Sequence, residues 1–74
     1  MGTKPVFDYS KLRGRIIEKF GTQKVFSEKM NMSEATLTQK LAGRTYFTQG
    51  EMYRAGELLD LDGSYRPYFF TLRV

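Results

Sequence analysis

A chain of 74 residues is short for more than one domain, and its 41% apolar and 15% aromatic content is too rich for a disordered tail. It holds no cysteine and no histidine and carries a formal net charge of +4. That excludes a disulfide scaffold and removes the commonest metal ligands and general bases. No apolar run approaches the roughly 20 residues of a membrane span, and no signal peptide is visible, so the expected setting is the cytoplasm.

In chain order, residues 1–7 read as a flexible arm, because Pro5 blocks a helix through it, although Phe7 at its end reads as a core residue by type. Asp8 and Ser10 are both candidate N-caps for a helix over 9–20, where Leu12, Ile16 and Phe20 form one stripe with Ile17 beside it. Gly21 ends that helix. Thr22 caps a second helix over 23–30, burying Phe26, Ser27 and Met30. Asn31 marks a sharp turn, since Asn tolerates the left-handed backbone region, and Met32 points back to the core. Ser33 caps a third helix over 34–42, with Leu37 and Leu41 inward and Gly43 as its stop.

Thr48 and Glu51 form a capping box for a fourth helix over 49–59, with Met52, Ala55, Leu58 and Leu59 on its apolar face. Gly56 is a point of close packing, and Leu61 is buried. Asp62-Gly63 signals a turn, and Ser64 is a candidate cap for a short fifth helix over 65–70. Residues 71–74 form an extended tail, in which the alternation of Phe70, Leu72 and Val74 equally suits a strand. The fold class is all-α: four to five short helices in one domain, with that extended C-terminal tail.

The constellation with functional content is the helix-turn-helix over residues 23–42. Residues 1–44 hold nine basic and four acidic side chains, a balance of +5, whereas residues 45–74 stand at −1. The positive excess travels with the helix pair and suits a polyanion such as DNA, or else a solvated basic face. The outer face of the third helix is small and polar. Glu34, Ala35, Thr36 and Gln39 are the candidate base-reading residues: Gln39 suits adenine, Glu34 a cytosine amino group, Thr36 a base edge or a thymine methyl. Gln23, Ser33, Thr38, Lys40, Arg44, Tyr46 and Gln49 are candidates for the DNA backbone. The aromatic C-terminal segment offers Tyr65, Tyr68, Phe69 and Leu72 as dimer contacts. No nucleophile–base pair, phosphate loop or metal-spaced acid set stands out. The sequence therefore assigns no catalytic residue, no metal and no cofactor, and points away from an enzyme.

Over residues 12–61 these features resemble the Cro and C-repressor (XRE-like) family of small phage and prophage regulators. The resemblance rests on Thr22-Gln23, Ser27, Asn31, Met32, Ser33, Leu37, Gly43 and Leu61. It implies a compact lambda-repressor-like domain that dimerises on a palindromic DNA operator and reads it with the third helix. Three departures from that pattern stand out. Ile16 and Leu41 are apolar where some relatives have a buried Arg–Glu pair, a consistent double change. Lys40 stands where an apolar residue is common, and is expected to turn outward to a phosphate while Leu41 takes its core place. Glu34 puts a negative charge on the leading edge of the proposed reading helix.

The leading expectation is thus a Cro-like, sequence-specific DNA-binding repressor of the bacterial cytoplasm, working as a homodimer. The alternative is a small modulator or antirepressor of similar fold that binds a partner repressor protein instead of DNA.

Overall fold

The computed structural model describes residues 6–72, which form five helices. α1 spans Ser10–Phe20, α2 Gln23–Lys29, α3 Glu34–Leu41, α4 Gln49–Leu58 and α5 Arg66–Phe69. The all-α expectation holds: among the described residues the extended structure is one isolated antiparallel bridge between Phe7 and Leu72. No helix among them is long and apolar enough to cross a membrane.

The helix starts follow side-chain chemistry. Thr22 accepts from the Val25 amide and Ser33 from the Thr36 amide, so each hydroxyl satisfies a donor that the first helical turn leaves unpaired. Thr48 and Glu51 complete the capping box reciprocally. At α1 the cap position falls to Tyr9, whose side chain makes no capping bond; Asp8 instead accepts from both the amide and the hydroxyl of Ser10. Ser64 does not cap α5, which begins after Tyr65 and gains its start from Pro67 in the first turn. Asn31 turns the chain between α2 and α3 at φ 60°.

One core joins the elements: Leu12 and Ile16 from α1, Phe26 from α2, Leu37 and Leu41 from α3, Ala55 and Leu59 at α4, and Phe69 from α5. Ile16 and Leu41 are both fully buried, as two apolar partners must be. Met52 and Leu58 are only partly buried against this core, and Ile17 is half exposed. The stripe that continues from Leu12 and Ile16 leaves Ile17 about 100° round the helix, outside the apolar face.

Two expectations need correction here. Phe7 does not belong to a flexible arm: it is partly buried, pairs with Leu72, and the Asp8 amide donates to the Thr71 carbonyl at 2.6 Å. The beginning and the end of the described chain thus hold each other, and Thr71 and Leu72 are part of the fold. Residues 1–5 and 73–74, with Val74 of the proposed strand alternation, lie outside the described residues. Second, Lys40 does not turn outward to a phosphate. It is 8% exposed, and its ammonium donates to the Tyr46 carbonyl at 3.0 Å, pairs with Glu51 at 3.0 Å and lies over the Phe47 ring at 5.8 Å. Leu41 is buried as well, so α3 sends both residues inward.

A buried ammonium is costly unless paired, and removing it leaves Glu51 without its cationic partner, at a cost that is smaller where the substitute refills the space. Lys40→Ala is expected to destabilise the fold by about 1–3 kcal/mol in urea denaturation, and Lys40→Met by less, because Met refills the volume over Phe47.

Candidate functional site

The outer face of α3 carries Glu34, Ala35, Thr36, Thr38 and Gln39, all exposed as expected. Its polar groups are partly engaged within the chain. The Ser33 hydroxyl donates to the Thr36 hydroxyl at 2.8 Å while accepting from the Thr36 amide at 3.0 Å. Gln39 accepts from the Arg44 guanidinium at 3.3 Å. Gln23 is half-buried at the start of α2, and Gln49 is exposed at the start of α4.

The positive charge of α1 is also spent internally, whereas Lys24, Lys29 and Arg44 stay exposed. Arg13 donates to the Leu41 carbonyl and Arg15 to the Leu59 carbonyl, satisfying acceptors that helix ends leave open. Lys19 pairs with Asp60 at 2.6 Å, and Lys11 lies 5.3 Å from the centre of the Tyr68 ring. With Lys40 buried, these groups brace the fold and do not line a groove for phosphates. Glu34 stands exposed at the leading edge of α3.

The surface that departs from an ordinary small-domain exterior lies elsewhere. A groove of about 420 Å³ is lined by Phe7, Tyr9, Tyr46, Phe47, Met52, Phe69 and Phe70, almost wholly apolar. Its walls are a continuous run of ring contacts: Phe70 to Phe7 at 5.9 Å and 90°, Phe7 to Tyr9 at 6.3 Å, Tyr9 to Phe47 at 5.4 Å, and Phe47 to Phe69 at 5.3 Å. Tyr46 meets Phe7 edge-on at 6.0 Å. Such edge-to-face contacts fix ring orientation beyond what area burial does. Tyr46, Phe70 and Leu72 remain 41%, 46% and 57% exposed, a contiguous apolar patch on a small surface. The Tyr9 hydroxyl, shut in by burial and next to Tyr46, has its pKa raised above the ordinary tyrosine value and stays protonated.

Of the residues assigned to dimer contact, Phe69 is 1% exposed and is core, which corrects that assignment. Tyr65 and Tyr68 are half-buried, and Leu72 is exposed. Of the C-terminal residues expected at a dimer contact, Phe69 alone lines this groove. Phe7 is partly buried, in line with its expected core role, and Phe47, which no sequence feature singled out, packs against Tyr9 and Phe69 from distant parts of the chain. Among the described residues, no group of three or more acids, histidines or cysteines is placed to hold a metal ion.

Fold and surface together define, among the described residues, a small five-helix protein with a helix-turn-helix whose Lys40 is turned inward, an α1 whose basic groups serve internal contacts, and an exposed aromatic groove. The chain belongs to the family described as "Protein of unknown function (DUF739)", whose model matches residues 5–72. It is similar in structure to the modulator of repression (MOR) of the temperate bacteriophage TP901-1 from Lactococcus lactis. The TM-score is 0.73, with 38% sequence identity over 86% of this chain and 86% of that chain. A comparison with curated proteins returned no match. These findings overturn the expected kinship with the Cro and C-repressor family, and with it the expectation of an operator-reading repressor. The shared helix-turn-helix pattern carried the resemblance.

Glu51 supplies a pH test of the clamp that holds one wall of the groove. Burial works to raise its pKa, but the Thr48 amide and the Lys40 ammonium outweigh it and hold the carboxyl below its ordinary value of 4.5. A depressed folded-state pKa contributes stability above the unfolded value, and that stability is lost as pH falls through the folded one. Thermal midpoints are therefore expected to decline below about pH 4.5, and Glu51→Gln to flatten that decline while lowering the midpoint at pH 7.

Proposed function

We propose that this protein is a small phage regulator that acts by binding a repressor protein and modulating it. The observation that carries this reading is the 38% identity, spread over 86% of both chains, with a phage modulator of repression. The protein binds and does not catalyse, and its place of action is the cytoplasm of the bacterial host.

The aromatic groove is the contact surface best suited to the task. An exposed, contiguous apolar patch is the feature that distinguishes an interaction site from an ordinary exterior, and large aromatic anchors dominate binding energy. Phe70 and Tyr46 stand at its rim, half in solvent, backed by the fixed rings of Phe7 and Phe47. Burying them against a repressor domain removes their exposed area from water without reordering the core beneath. The α3 face has no comparable anchor, since Ala35, Thr36 and Thr38 are small.

The test is calorimetric titration of the full chain into the full-length repressor encoded by the same phage. Phe70→Ala is expected to weaken the complex by roughly 2 kcal/mol, about 30-fold, with little change in thermal stability. Gln39→Ala is expected to leave it unchanged. Undiminished binding by Phe70→Ala contradicts the choice of surface. Absence of any complex with the repressor contradicts the function.

A further inference from the structure

The groove does not end at Phe70. A second depression, lined by Gln49, Met52, Tyr53, Tyr65 and Phe70, shares Met52 and Phe70 with the first. Tyr53 and Tyr65 in turn line a third, polar cleft of about 320 Å³ with Gly56, Glu57, Asp60, Asp62 and Gly63. One surface therefore runs from an apolar aromatic channel, between two tyrosine rings, into a cleft edged by carboxylates. The two ends differ in kind, so an occupant that fits one way round does not fit the other.

We propose that this surface takes one amphipathic segment of a repressor protein in a single orientation, with apolar side chains in the aromatic channel and an arginine or lysine side chain between Tyr53 and Tyr65. The inference rests on the modulator reading above and assigns the partner's chemistry at a place that reading leaves open.

Three observations fit a cation there. Tyr53 is 62% exposed, so its ring face is available, and Tyr65 lies so close over Gly56 that a methyl group on that glycine would collide with its ring. Tyrosine ring faces attract an ammonium or guanidinium through their quadrupoles. The chain already uses this contact internally, with Lys11 over Tyr68 and Lys40 over Phe47. Second, among the described residues neither Glu57 nor Asp62 is in an ion pair, whereas Asp60 is held by Lys19. The contact Glu57 does make is a long one, from the Tyr53 hydroxyl at 3.5 Å, which places its carboxylate beside that ring. Third, the cleft is continuous with the apolar channel through shared residues, so a cation seated in it sits on the same segment as the apolar anchors. A long basic side chain suits this passage, because its methylenes cover Tyr65 while its charge reaches the carboxylates.

Affinity for the same repressor, measured at low and high salt, tests the inference with two variants. Glu57 and Asp62 are exposed, and Asn keeps the left-handed backbone that Asp62 adopts at φ 53°, so the double variant Glu57→Gln/Asp62→Asn is expected to fold with an unchanged thermal midpoint. It is expected to bind about tenfold more weakly at low salt, with a shallower salt dependence. Phe70→Ala is expected to lose affinity equally at both salts. If the double variant keeps wild-type affinity and salt dependence while Phe70→Ala fails to bind, the cation site is wrong and the groove stands. If Phe70→Ala binds as the wild type does, the groove itself is wrong and the inference falls with it.

Discussion

The ammonium of Lys40 is the point on which the structure turns. It ties the last turn of α3 to the Tyr46 carbonyl, to Glu51 in the capping box of α4 and to the face of Phe47. Those contacts fix the path of the loop from Gly43 to Thr48, and the loop carries Tyr46 and Phe47. Phe47 contacts Tyr9 and Phe69; Tyr46 contacts Phe7; Phe7 contacts Phe70. A single buried charge thereby positions one wall of the aromatic groove, and the bridge between Phe7 and Leu72 holds the other.

The same side chain takes one expected phosphate contact away from the α3 face. A lysine near the end of a reading helix is useful to DNA binding only while its charge faces a phosphate. Here it is desolvated and paired. Arg13 and Arg15 on α1 are likewise committed to helix-end carbonyls, and Lys19 to Asp60. What remains on the α3 face is small, polar and headed by Glu34. In the proposed function the helix pair braces the loop that carries Tyr46 and Phe47, and the exposed rings are the contact surface.

Local chemistry made most of the fold legible in the sequence. The caps at Thr22, Ser33 and Thr48, the left-handed turn at Asn31 and the apolar spacing of Leu12, Ile16, Leu37 and Leu41 depend on neighbours a few residues away. The misses arose where a residue's partner is distant or where two local choices compete. Phe7 looked like part of a loose arm because its partner Leu72 is 65 positions on. Ser64 is as good a cap by type as Ser33, yet Pro67 fixed the start of α5 one residue later. Lys40 looked exposed by type, and its burial depends on Tyr46, Phe47 and Glu51 converging on one ammonium. The site was legible in part: the rings near the C-terminus stood out as a contact surface, but Phe69 proved to be core and Phe70 the exposed member.

In the proposed function, recognition belongs to the aromatic groove and not to α3. Amide and aromatic NMR shifts of the full chain, recorded during titration with the repressor of the same phage, test it most directly. The account predicts perturbations concentrated on Phe7, Tyr46, Met52 and Phe70, with residues 34–39 unmoved. Perturbations centred on residues 34–39 that leave the groove silent would contradict it.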